Sequence, residues 1–275
     1  MTSNSTVGSI VSLWRYPVKS MMGEEIRSTE VIERGILGDR AYALVDTETG
    51  KVVSAKNPKK WPSMFLSYSR YIDSPKVNSS LPPVRISLPD GTTVDSNQSD
   101  VNSILSDALG RSVRLESQVP QTPSLEEYWP DIEELDNRDI VTDENMPEGT
   151  FFDLAIIHVL TTSTIDKLRS LYPQGRFEVR RFRPNMVVNT ISEEPSFIED
   201  EWIGKTLAIG DDVLLKITDH CPRCVMTTLA QGDLPKDTGI LRTAAQNNNA
   251  NVGVYANIVK GGAIKCDDKV RILNG

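Results

Sequence analysis

Apolar and polar residues alternate in short runs through the first 116 residues, and turn-forming residues bound each run, the pattern of half-buried β-strands. Strands are predicted at 7–16, 40–46, 51–55, 84–88 and 92–94. Asp46-Thr47-Glu48-Thr49-Gly50 joins two of them as a hairpin, and Pro89-Asp90-Gly91 turns between two others. One segment breaks the alternation. From Asp100 to Leu109 the residues Val101, Ile104, Leu105 and Ala108 recur at helical spacing, with Ser99 or Asp100 as cap and Gly110 as stop.

The second half repeats the β pattern with fewer turns. An apolar run at 154–160 predicts a buried strand, followed by a helix to about Tyr172 in which Ser163 and Asp166 form a capping box. Ile165, Leu168 and Leu171 would face the core, and Pro173 with Gly175 would end the helix. Further strands are predicted at 177–189, 206–209, 213–218, 252–259 and 269–273, and the Asn-rich segment 246–251 reads as an exposed loop. The predicted fold class is mainly β (α+β) with a few helices.

Composition divides this pattern into parts. With 275 residues and 39% hydrophobic content, the chain can bury one large core or two modest ones. The net charge is −8, yet residues 117–150 alone carry ten acidic residues against the single Arg138, so the remainder is close to neutral. Pro120, Pro123, Pro130 and Pro147 interrupt the same stretch, which reads as an acidic connection with at most a short helical turn, between domains at 1–116 and 151–275. A solvated loop is favoured there over a docking surface for a basic partner. The negative balance argues against nucleic acid as the main partner. No apolar run approaches the length of a membrane span or forms a signal peptide, so no membrane association and a cytoplasmic location are expected.

Chemistry concentrates in His220-Cys221-Pro222-Arg223-Cys224, because the only other cysteine is Cys266. Three thiols make no disulfide framework. A structural zinc would need adjacent His220 and Cys221 to bend toward one ion together with Cys224 and His158, and no second close pair completes the usual spacing. A thioredoxin-like pair belongs at a helix N-terminus, whereas Val225-Met226-Thr227-Thr228 reads as extended. A third option asks for one thiolate only: Cys224 binds a metal carried by an organic cofactor, with Arg223 easing deprotonation and Cys221 and Cys266 serving as packing. Such a cofactor is anionic and calls for cations. On a strand over 177–189, Arg181, Arg183 and Asn185 share one face, and Pro184 marks an edge or bulge. Lys19 and Ser20 follow one strand, Arg40 precedes another, and Ser163 stands at a helix start where free N–H groups suit a phosphate.

Taken in order, 13–20, 35–40, 181–185, 221–228 and Val254-Tyr255 resemble the proteins that join an N-terminal β-barrel domain to a MOSC domain, a group that includes the mitochondrial amidoxime-reducing component and bacterial reductases of N-hydroxylated compounds. The resemblance spans nearly the whole chain. It implies a β-barrel-like first domain, a β-barrel-based MOSC domain, and a molybdenum cofactor, a molybdopterin whose metal is ligated by Cys224. It further implies that Lys19, Ser20, Arg40, Arg183, Asn185 and Tyr255, with Thr162 and Ser163 as looser matches, contact the cofactor. The expected activity is reduction of small N-hydroxylated molecules, namely hydroxylamines, amidoximes and N-hydroxylated bases. Electrons are expected from a separate iron–sulfur or flavin protein, since no cysteine-rich module follows within the 275 residues. The competing expectation is a non-catalytic carrier of the cofactor or of a Cys224 persulfide, which needs Cys224 exposed. Pyridoxal phosphate on a lysine such as Lys19, attached to the wider family by analogy, ranks last. Within the family pattern, Asp267 stands where a glycine is common.

Overall fold

The first strand leaves the N-terminal segment to complete a barrel formed by the second half of the chain. The computed structural model describes residues 5–192 and 194–273. Its largest sheet contains Ser5–Arg15 (β1), Glu24–Ile26 (β2), Ile157–Thr161 (β3), Met186–Thr190 (β4), Thr206–Ile209 (β5), Val213–Pro222 (β6), Asn251–Lys260 (β7) and Lys269–Leu273 (β8). The order is β4-β3-β7-β6-β5-β8-β1-β2, and β4 also pairs with β1, which closes a seven-stranded barrel. Every pairing is antiparallel except β3 with β4. Ile10, Leu13, Val159, Val188, Leu207, Leu215, Val254 and Val270 fill the barrel.

A second core lies in the N-terminal segment around Val18, Leu44, Trp61, Met64, Ile86 and Leu105, and Met226 of the second half is buried in it. Small sheets wrap it: Ala43–Asp46 pairs with Val113–Glu116, and Tyr68–Tyr71, Val84–Ser87 and Thr93–Asp95 form a meander. The helix Val101–Leu109 (α1) ends on Gly110 in the left-handed region, as its sequence predicts. The stretch 51–55 makes only the single bridge between Val45 and Val52, although Val52 to Ala55 are all buried.

Several expectations change in the second half. The parallel β3–β4 pair needs a crossover, and Thr162–Leu171 (α2) supplies it. Thr161 caps this helix by accepting from Thr164 N at 3.1 Å, whereas Ser163 lies inside it and donates to Ser196 O at 2.9 Å, so the Ser163–Asp166 capping box does not form. Leu171 is 39% exposed rather than in the core. The expected strand 177–189 divides into the short helix Val179–Phe182 (α3) and β4. Pro184 disfavours helical backbone at the residue before it, and Arg183 caps the turn at φ 53°. Arg181, Arg183 and Asn185 therefore do not share a strand face. Residues 246–248 end an unpredicted helix, Gly239–Asn248 (α4), built on Ile240, Leu241, Ala244 and Ala245. After Cys224 the chain forms a 3-10 turn, Val225–Thr228, not an extended run, because the Thr227 and Thr228 hydroxyls donate to the Cys224 and Val225 carbonyls.

The acidic stretch holds an antiparallel hairpin, Ser124–Trp129 with Ile140–Asn145, rather than a bare loop. Its prolines bracket the strands at 123 and 130 without interrupting them. Lysines of the N-terminal segment neutralise one side of it: Lys51 and Lys60 reach Glu126, Lys56 reaches Glu127, and Lys59 reaches Asp139. Asp267 adopts φ 74°, the left-handed conformation that accounts for a glycine preference there.

Candidate functional site

Between the two cores lies a cavity of about 710 Å³. Of the residues singled out in the sequence, Lys19, Ser20, Arg40, Arg183, Asn185, Cys224 and Tyr255 line it. Thr162 and Ser163 are not among its lining. Thr162 donates to Asn189 Oδ1, and Ser163 binds the backbone at Glu194 and Ser196.

Three of the lining residues sit in strained backbone. Ser20, Arg40 and Arg183 have φ of 66°, 47° and 53°, a region that non-glycine residues rarely adopt. Such conformations persist where surrounding contacts over-determine them. Ser20 Oγ accepts from Ala55 N at 3.0 Å, Arg40 N donates to Tyr16 O at 2.8 Å, and Arg183 Nη1 donates to Met21 O at 2.6 Å. The two guanidinium groups lie 4.4 and 4.2 Å from the Tyr16 ring centroid. Asp39 links the halves: its carboxylate accepts from Tyr16 N, from Asn185 Nδ2 at 2.8 Å and from Arg40. Asn185 accepts in turn from His158 N at 3.1 Å, so its amide holds Asp39 and the barrel wall together.

The less exposed part of the cavity wall carries more cations than carboxylates, while Glu134, Asp136 and Glu144 stand at its more exposed rim. Lys19, Arg40, Lys56, Arg183 and Arg223 line the cavity with Glu127 and Asp153. Burial, and then Arg40, bring the Arg183 guanidinium down to about 10. Burial also lowers Lys19, against its ion pair with Asp153. Burial alone would raise Asp153, but Lys19 and Lys56 hold it below the usual carboxylate range. Arg223 has no carboxylate partner among the described residues. Its Nη1 lies 2.6 Å from Cys221 Sγ, its Nη2 donates to Phe182 O at 2.7 Å, and its buried Nε has no partner.

The two cysteines differ in setting. Cys221, the penultimate residue of β6, is fully buried against Arg223, so the packing role expected of it includes a polar contact. Cys224 is half-buried in the cavity wall. Burial first and Glu127 second push its thiol up to about 11, with Lys56 and Arg223 opposing, so Arg223 alone does not make it a thiolate. Among the described residues no group of three or more His, Cys, Asp or Glu is placed to hold a metal ion, so any metal at Cys224 would need the rest of its ligands from a carrier. His220 faces Asp200 at 3.2 Å on the exposed side.

His158 is buried with Nε2 3.1 Å from Val252 O, and burial followed by Arg223 lowers it to about 3. Gly253, at φ 83°, makes room for this ring: a Cβ there would stand 2.2 Å from Nε2. Tyr255 packs edge-on against His158 at 6.1 Å, and burial, then Cys221, keep its hydroxyl protonated well beyond the usual range.

Sequence reasoning missed Lys56, Glu127, Trp129 and Asp153. The signal for the hairpin residues was the alternation at 124–129, where Leu125 and Glu127 point inward, obscured by the surrounding acids and prolines. Lys56 had no signal beyond its place among four lysines at 51–60.

Fold and site together define a mainly β protein with a charged cavity between two cores, whose wall holds cations from both halves and two cysteines, of which Cys224 is the more exposed. Comparison with known families names that class. The MOSC domain matches residues 148–271 and the MOSC N-terminal beta barrel domain matches 7–110, and the chain is a MOSC domain protein that resembles the mitochondrial amidoxime reducing components. Mitochondrial amidoxime reducing component 2 of Bos taurus is 24% identical over 295 residues, covering 96% of this chain and 83% of that protein. The Rattus norvegicus protein of the same name is 23% identical, covering 86% and 69%. The YUAD protein of Bacillus subtilis aligns over 100% of both chains with a TM-score of 0.47 and 11% identity. The matches support a function related to the molybdenum cofactor. Among the described residues no helix is long and apolar enough to cross a membrane.

Proposed function

We propose that this protein is a molybdenum-cofactor-dependent reductase of small N-hydroxylated compounds, supplied with electrons by a separate iron–sulfur or flavin protein. One observation carries the reading: cations from both halves of the chain converge, in strained backbone, on a cavity whose wall presents a single half-buried cysteine. The residues fit the group, because the unpartnered Nε of Arg223 and the cations Lys19, Arg40 and Arg183 on the buried part of the wall suit a phosphate-bearing pterin, while Cys224 offers one soft ligand.

In this reading Lys19, Ser20, Arg40, Arg183 and Arg223 hold the anionic cofactor, Asn185 positions Arg40 through Asp39, and Cys224 ligates molybdenum. When bound, the cofactor supplies two-electron chemistry at the N–O bond. The reaction balances as R–NH–OH + 2 e⁻ + 2 H⁺ → R–NH₂ + H₂O. Tyr255 keeps its proton on Oη and offers a hydrogen-bond donor in the cavity wall. His158 is neutral and engaged with Val252, a structural role.

The test compares wild type with Cys224→Ser and Cys221→Ser after expression with the cofactor available. Molybdenum and pterin are measured first, then reduction of a hydroxylamine and an amidoxime by reduced benzyl viologen. Wild type is expected to carry about one molybdenum and turn over. Cys224→Ser is expected to lose the metal, and molybdenum retained in that variant would remove the ligand assignment. Metal bound without turnover by wild type would favour a carrier.

A further inference from the structure

The 3-10 turn Val225–Thr228 that follows Cys224 has a second side. Cys224 faces the cavity, while Val225 and Thr228 line a separate surface groove of about 530 Å³. Its walls include Pro62, Leu66, Ile132 and Leu229, and Leu66 is 37% exposed. One turn of backbone therefore separates the thiol from an apolar outer surface.

The charges around this groove are one-sided. Asp131 is neutralised by Arg138 at 2.6 Å, and Lys59 by Asp139 at 3.2 Å. Lys236 and Arg242 also line the groove, both exposed, and neither is in an ion pair among the described residues. The chain as a whole carries −8, so two unpaired cations on an apolar surface are a local reversal of its field. The mouth of the cavity has the opposite sign: Glu134, Asp136 and Glu144 line it, and none of them is within ion-pair distance of a cation among the described residues, although Glu134, held down first by its hydrogen bond from Gln246, also feels Arg242 from the groove side. An acidic macromolecule would be repelled from the mouth and attracted to the groove.

We infer that this groove is the docking surface for an acidic electron-donor protein, which delivers electrons through the Val225–Thr228 turn to the site at Cys224. The inference rests on the proposed reductase function. Two electrons per turnover enter the site, from two successive dockings where the donor carries one electron, as a [2Fe–2S] protein does; each donor leaves oxidised by the electron it gave, and two protons enter from solvent to form water and amine. The groove and the cavity mouth are neighbours, because the segment 131–136 and the helix α4 line both, with Arg242 in the groove and Ala245 and Gln246 in the cavity, so the donor docks beside the mouth. Lys236 and Arg242 act on encounter with the donor, not on the reaction itself.

The test uses cofactor-loaded wild type and the Lys236→Glu/Arg242→Glu double variant. Reduced benzyl viologen is one donor, and two acidic proteins, a [2Fe–2S] ferredoxin and a flavodoxin, kept reduced by excess dithionite with dithionite-only controls, are the others. Viologen-driven turnover is expected to be equal in both proteins, which also reports that the variant is folded and loaded. Turnover driven by at least one acidic protein is expected to fall about tenfold or more in kcat/KM for that donor in the variant, and wild type is expected to lose rate as salt rises. The inference is overturned if the variant accepts electrons from the acidic donors as well as wild type does. It is also overturned if neither acidic donor supports turnover while viologen does. Absence of viologen-driven turnover in loaded wild type would instead remove the reductase reading beneath it.

Discussion

At the inner end of the cavity, Ser20, Arg40 and Arg183 hold left-handed backbone and are fixed by Ala55, by Tyr16 and Asp39, and by the distant Met21 respectively. At the outer end, the hairpin Ser124–Trp129 with Ile140–Asn145 has regular register and is held by lysines from 51–60. Both ends are rich in charge, but the inner one holds three cavity-lining residues in left-handed backbone, whereas the outer hairpin has only Asp139, at φ 49° in the connection between its strands, an aspartate of the kind that tolerates this region. Strain of this kind costs about 1–3 kcal/mol per residue and survives where the surrounding contacts over-determine the conformation. The outer hairpin carries the sign of charge that controls what approaches.

If the inner end is over-determined, removing one of its supports should cost most. Arg181 is fully buried and donates to the carbonyls of Arg176, Thr227, Leu229 and Pro235, which fixes the turn after Cys224 from behind. Arg181→Ala is expected to lower stability by about 3 kcal/mol or more, read by urea unfolding, because a fully buried side chain is removed and four carbonyls, that of Thr227 in a buried bond, lose a charged donor. Lys56→Met comes next. It leaves Glu127 without its 2.9 Å partner and Asp153 without the more distant of its two lysines, at about 2 kcal/mol, since neither side chain of the Lys56–Glu127 pair is wholly shut off from water. A cost for Lys56→Met equal to that of Arg181→Ala would erase the difference between the two ends.

His158 adds a pH dependence to the inner end. Its folded pKa is about 3 against an ordinary 6.5, so the unfolded chain binds the extra proton first. Its contribution is fully present above pH 6.5 and is lost as pH falls from there toward 3, at about 1.4 kcal/mol per pH unit over the steep part. Unfolding free energies at pH 7, 6 and 5 should show this slope in wild type, and His158→Gln should flatten it. An unchanged slope in the variant would place the acid sensitivity elsewhere.

The barrel was legible where a strand is buried on one face or both: β5 and β8 were predicted at their observed bounds, and β1 and β7 nearly so. The cavity residues of the family motifs were legible because their types and order are distinctive. The local structure around Arg183 was not, since an apolar run with arginines reads as a strand until Pro184 is allowed to end a helix instead. The outer wall was hidden for another reason. Its strands alternate, but the inward positions are Leu125 and Glu127, and a buried glutamate has no hydrophobic signature. Only its lysine partner, distant in sequence, explains why it is inside.

Strain itself is tested at Arg40, where the guanidinium is removed in both of two variants. Arg40→Gly and Arg40→Ala lose the same contacts to Asp39 and Tyr16, but glycine accepts φ 47° without a Cβ penalty. Arg40→Gly is therefore expected to be more stable than Arg40→Ala by about 1 kcal/mol. Equal stability of the two would mean that the backbone relaxes on losing the side chain, and that the inner end is less rigid than its dihedral angles imply.

The smallest effect belongs to the rim of the outer wall. Lys59 pairs with Asp139 and lies 4.0 Å from the Tyr128 ring centroid, yet the two side chains of the pair are 60% and 67% exposed. Water screens both charges, and holding a long lysine side chain in place costs entropy that offsets the attraction. Lys59→Ala should leave the Tm unchanged within error, while Lys56→Met, in the same segment but facing the buried Glu127, lowers it. A Tm that falls equally in both variants would show that the lysines act as one network. The outer wall would then be held as cooperatively as the inner one, and regular register would no longer distinguish it as the adaptable side of the cavity.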